Sequence, residues 1–127
     1  MSHTMDAQLI AKFQQGRPLD FSAEEAAHLR AALREAMAVT LSVDQAKITD
    51  DARVFDDLGL DSIDVFDILD QLGERFEITV ALEEMPNEVV HGGESATFQD
   101  FAQGLLGYFQ SAPKAPVRTG VPASGNA

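Results

Sequence analysis

The stretch Asp56-Asp57-Leu58-Gly59-Leu60-Asp61-Ser62-Ile63-Asp64, continued through residues 65–76, constrains the fold more than any other part of the chain. A glycine turn delivers the backbone to Asp61 and Ser62, and either side chain can accept hydrogen bonds from the free N–H groups of the helix that follows. Beyond Ser62, the residues Val65, Ile68, Leu69, Leu72 and Phe76 recur at helical spacing and form one apolar stripe. Ile63, Asp67, Asp70 and Glu74 form a second, acidic stripe on the other side, and Phe66 falls at the boundary. Such a helix must lay one face on a core and keep the other in water. Ser62 stands at its N-terminus, where unpaired donors and a partial positive charge would tolerate a phosphate on the hydroxyl better than most places on an acidic chain.

The flanking sequence supplies helices for that core. Ser22 with Glu25 three residues on reads as a capping box, with Phe21 as its staple, and opens a helix expected to run to about Thr40 on Ala26, Leu29, Leu33, Met37 and Leu41. Residues 41–60 lack periodicity but keep apolar anchors at Val43, Ile48, Val54, Phe55 and Leu58. They read as a long loop with a turn of 3₁₀ helix. Thr97 and Asp100 resemble another capping box, ahead of a last helix with Phe98, Phe101, Ala102, Leu105 and Phe109 inward. Glu77-Ile78-Thr79-Val80 is too short and isolated for a sheet strand and reads as an extended exit from the helix. Residues 81–95 are looser, with a turn of helix expected around Leu82 to Met85 or Asn87 to Val90. Gly73 costs about 1 kcal/mol inside a helix and marks a bend or an early end.

These signals predict an all-α fold: a small bundle of three main helices with room for a short extra one, and a long loop between the first two. Residues 1–20 read as a cloning remnant (Met1 to Met5) followed by a flexible or weakly helical extension. Leu9, Ile10 and Phe13 have helical spacing, but the short pattern ends at Gly16-Arg17-Pro18, so a frayed segment is expected rather than a docked helix. Residues 21–110 form the domain, and the Pro, Ala, Gly and Ser-rich tail 111–127 is expected to be disordered.

Charge and composition narrow the function. The chain carries a net charge of −12, which disfavours nucleic acid and anionic membranes and favours proteins with Lys and Arg patches. Ten carboxylates against two arginines fall within residues 50–77, so most of that charge lies beside Ser62. With no cysteine, the chain has no thiol nucleophile or thiolate metal site of its own. The three histidines, His3, His28 and His91, lack ligand spacing, and the run Asp56, Asp57, Asp61, Asp64 does not match a calcium loop, so no metal is expected. No base pairs locally with Ser62 as a catalytic nucleophile would need, and the solvated carboxylates lack the burial that raises a catalytic pKa; the chain reads as a non-enzyme. No apolar run suits a membrane span or a signal peptide, so a cytoplasmic monomer without membrane insertion is expected.

Residues 57–64, Asp-Leu-Gly-Leu-Asp-Ser-Ile-Asp, resemble the D-L-G-x-D-S-L-D signature of acyl carrier proteins, with Ile63 in place of leucine. The likeness extends upstream through residues 41–50, downstream to Phe76, and again over residues 97–101, covering roughly Phe21 to Phe109. Gly73 departs from the helix former more usual in that family. The resemblance implies an acyl-carrier-like bundle with 4′-phosphopantetheine, taken from coenzyme A, on Ser62 beside Asp61. It implies docking through Ile63, Asp64, Phe66, Asp67, Asp70 and Glu74. The partners implied are a phosphopantetheinyl transferase and acyl-loading, ketosynthase or acyltransferase enzymes with basic patches, in fatty-acid, polyketide or related lipid biosynthesis. A peptidyl or aminoacyl carrier, or an arm-free acidic interaction module, is the alternative.

Overall fold

The computed structural model describes residues 2–81, 84–85 and 95–111. Among them four helices run in the order α1 (Ser2–Phe13), α2 (Ala23–Leu41), α3 (Ser62–Phe76) and α4 (Phe98–Gln110), with a 3₁₀ turn at Gln45–Lys47 in the long loop. No described helix is long and apolar enough to cross a membrane. The expectations for Asn87 to Val90, for most of the turn from Leu82 to Met85, and for the tail beyond Ser111 lie outside the described residues.

The three helices expected from the capping signals begin where those signals stand. Ser22 caps α2 through the Glu25 N–H while the Glu25 carboxylate accepts from the Ser22 N–H, and Thr97 and Asp100 do the same for α4. Every residue of the expected α3 stripe is buried, as is the whole α4 stripe, where Tyr108 joins it. On α2 the buried side is wider than the stripe, with Ala32, Ala36 and Ala38 added, while Ala26 and Leu41 are only partly covered. Gln71 donates to Thr40 at 2.7 Å and Arg75 to Glu35 at 3.4 Å, so α2 and α3 run antiparallel.

The frayed N-terminal extension is not what the structure has. Leu9 is fully buried, and Phe13 stands 4.8 Å from Phe109 and 5.8 Å from Phe76, measured between ring centroids. On one flank of α1, Asp6 pairs with Arg75 at 3.1 Å and with His28 at 2.6 Å. On the other, Gln8 and Lys12 both donate to the buried carboxylate of Glu25, at 2.7 and 2.6 Å. A short helix is marginal alone, and here the tertiary contacts supply what local propensity does not.

The long loop is stitched to the start of α4. Val54 N–H donates to Ala96 O and Phe98 N–H to Ala52 O, at 3.1 and 2.9 Å, around an antiparallel bridge between Arg53 and Thr97. Ile48, Val54 and Leu60 are buried beneath it. Outside, Arg34 reaches Asp50 at 2.8 Å and lies 4.4 Å over the Phe98 ring. These bonds fix the loop end that leads into Gly59 and Ser62.

Candidate functional site

Gly59 turns the chain with a φ of +79°, in the left-handed region where a side chain would be strained. Leu60 then drops into the core and anchors the turn through its N–H, which donates to Val54 O at 2.9 Å. This leaves Asp61 extended as the N-cap of α3. Its carboxylate accepts from the Asp64 N–H at 2.9 Å, and the Asp64 carboxylate accepts from the Asp61 N–H at 3.2 Å.

Of the two capping candidates at the turn, Asp61 takes the role, and Ser62 is released from it. Ser62 occupies the first helical position, exposed, and its hydroxyl makes no hydrogen bond to the described residues. The N–H groups of Ser62 and Ile63 likewise have no acceptor among the described residues. An oxygen nucleophile, two free donors and the positive end of a 15-residue helix therefore converge on solvent. A phosphodiester on this hydroxyl fits the position, since its charge would meet donors rather than a buried apolar wall.

The acidic surroundings are not uniform. Asp50 is met by Arg30 and Arg34, and Asp56 and Asp57 lie 3.8 and 3.5 Å from Arg53. Asp67, Asp70, Glu74 and Glu77 are exposed and have no cationic partner among the described residues. Ile63 and Phe66, 67% and 46% exposed, stand at the Ser62 end of the same face. The structure thus brings Ser62, Ile63, Phe66, Asp67, Asp70 and Glu74 onto one side of α3, with Asp61 and Asp64 engaged in the cap. Phe66, unassigned by its spacing, points outward.

Sequence reasoning missed the feature beside this face. A groove of about 470 Å³ runs along α3 past Phe66, Leu69, Asp70 and Gly73, with Ile78 to Val80 as its opposite wall. Gly73 is the residue that could have signalled it: a Cβ there would lie 2.7 Å from Ile78 O, so the missing side chain admits the returning backbone. No group of three or more acidic, histidine or cysteine side chains suited to a metal occurs among the described residues.

Comparison with known proteins meets this geometry. A family model described as the phosphopantetheine attachment site matches residues 31–88, which include Ser62 and the whole of α3. The chain is 39% identical over 56 residues to the acyl carrier protein AcpXL of Rhizobium etli, covering 44% of this chain and 61% of that protein. To AcpXL of Brucella melitensis it is 38% identical over 56 residues, 44% of this chain and 60% of the relative. To an acyl carrier protein of Exiguobacterium sibiricum it is 38% identical over 55 residues, 43% of this chain and 70% of the relative. The chain thus spans about 60% of the length of the AcpXL proteins it matches. No solved structure matches it.

Proposed function

Because the chain belongs to the acyl carrier protein family, we propose that it carries acyl groups on a 4′-phosphopantetheine arm attached to Ser62 and presents them to partner enzymes. The observation that carries this reading is the exposed Ser62 hydroxyl, which has no hydrogen-bond partner among the described residues because Asp61 and Asp64 cap α3 between themselves. The bound arm supplies the thiol that the cysteine-free chain lacks.

What the residues of the chain contribute is placement. Asp61 and Asp64 hold the first turn of α3, so the Ser62 hydroxyl projects beyond the surface where a phosphopantetheinyl transferase can reach it. The stripe of Asp67, Asp70 and Glu74, without a cationic partner among the described residues and with Ile63 and Phe66 at its head, offers an acidic face with an apolar anchor. Such a face suits acyl-loading, ketosynthase or acyltransferase enzymes with basic patches, because charge complementarity sets approach rate and register. A tether on Ser62 raises the effective concentration of its cargo at each docked active site. The bond-making chemistry belongs to those partners, in fatty-acid or related lipid synthesis in the cytoplasm.

Intact-protein mass after incubation with coenzyme A and an efficient transferase tests the reading. A gain equal to one phosphopantetheine group is expected. An unchanged mass would leave an arm-free acidic interaction module as the better description.

A further inference from the structure

The segment Ile78 to Val80 is a wall with space on both sides. In front of it lies the groove along α3. Behind it lies a second cavity of about 250 Å³, bounded by Phe13, Gly16, Arg17 and Leu19 from the end of α1 and the turn after it, and by Tyr108 and Phe109 from α4. Ile78 and Thr79 line both spaces. Residues 78–81 belong to no helix or strand, so side chains and isolated bonds must hold this wall in place.

Those bonds converge on the turn after α1. Arg17 Nε donates to the Tyr108 carbonyl at 2.7 Å, and its guanidinium lies 3.7 Å over the Tyr108 ring. Its Nη1 donates to Glu84 at 3.0 Å, with both side chains largely buried. The Tyr108 hydroxyl accepts from the Ala81 N–H at 2.9 Å, and Leu19 N–H donates to Phe109 O at 2.9 Å. Among the described residues, Ile78 N–H also donates to Gly73 O and Glu84 N–H to Ala81 O, each at 3.0 Å. One arginine therefore joins the N-terminal extension, the end of α4 and the chain just past the wall.

We propose that the turn after α1 is a strap, and that the clasp of Arg17 with Tyr108 and Glu84 sets how far the groove along α3 opens to apolar groups. With the clasp made, the wall is held against α3. With it released, the Ile78 bond to Gly73 still holds one end of the wall while the other end swings into the cavity behind it, and the groove widens toward Phe13 and Phe109. Arg17 acts through the wall and is a positioning residue. For a cargo carried on Ser62, which rests on the carrier reading above, the strap governs how well the groove shields it.

The strap itself is tested without any cargo, in a Ser62→Ala background. Arg17→Gln should speed hydrogen exchange at the Ala81 amide by about ten-fold relative to Leu33 and Met37 in α2, the mark of local rather than global opening. Binding of the neutral apolar dye Nile red should rise with it, and Arg17→Lys, which keeps the charge but not the forked bonding, should fall between. Glu84→Gln removes the other half of the ion pair and should shift both readouts the same way. Unchanged exchange and dye binding, or acceleration spread equally through α2, overturns the proposal. In the loaded protein with Ser62 intact, Arg17→Gln should hasten release of a bound acyl group by hydroxylamine. Equal release from a protein whose wall has loosened would refute control of cargo, whereas failure of the wild type to load would refute the carrier reading instead.

Discussion

Two small residues set the local geometry. Ser62 is idle among the described residues: with Asp61 as the cap, its hydroxyl makes no hydrogen bond to them, so Ser62→Ala should leave their fold intact. Gly73 is the opposite case. Helix propensity alone says Gly73→Ala should stabilise α3 by about 1 kcal/mol. The Ile78 carbonyl in the way, backbone rather than a flexible side chain, reverses the sign. We expect Gly73→Ala to lower stability by about 1–3 kcal/mol, the usual range for forced overpacking, read as a lower urea midpoint. A higher midpoint would show that the wall yields freely.

At the scale of elements, α1 and α2 are joined through a carboxylate that serves two purposes. Glu25 completes the cap of α2 and anchors α1, and the hydrogen bond from Lys12, with those from Ser22 and Gln8, holds its pKa down to about 2 from an ordinary 4.5. Burial pushes Asp6 upward, but the hydrogen bonds and charges of Arg75 and His28 outweigh it and leave that carboxyl below its usual range. A lowered folded pKa means the stabilisation is present above the unfolded pKa and is lost as pH falls through the folded one. Acid should therefore loosen the α1–α2 junction between about pH 4.5 and 2. At about 1.4 kcal/mol per pKa unit, Glu25 contributes on the order of 3 kcal/mol. Glu25→Gln should reduce stability at neutral pH by about 2–3 kcal/mol and flatten its dependence on pH across that window. A slope equal to wild type would remove Glu25 from this role. For α3, Asp67→Lys with Asp70→Lys should cost no more than about 1 kcal/mol of stability, because both sites are exposed. The same pair should slow acyl transfer with partner enzymes, and the defect should shrink as salt rises. Equal transfer at low ionic strength would leave the stripe as a solubilising surface.

Across the whole molecule, what could be read in advance was whatever a single period or a short capping motif encodes. The inward stripes of α3 and α4 and the box at Ser22 needed only neighbours three or four residues away. The docking of α1 depends on pairs such as Asp6 with Arg75, 69 residues apart, and on Leu9 meeting a core assembled from other helices, so no local signal could announce it. Glu25 was legible as a cap but not as the anchor of α1, for the same reason. The groove depends on the close return of Ile78 to Gly73, visible in sequence only as an unexplained glycine. Leu9→Ala tests the docked helix, since emptying a fully buried leucine site should cost about 2–5 kcal/mol, whereas a frayed segment would lose nothing measurable in a urea titration. Attachment of the arm to one oxygen atom, that of Ser62, is tested most directly by fragmenting the protein after loading with coenzyme A and transferase and locating the added mass in wild type and Ser62→Ala. The arm should lie entirely on Ser62, and the alanine variant, folded by circular dichroism, should gain nothing; an arm on another residue, or a mass gain in the variant, would contradict the assignment.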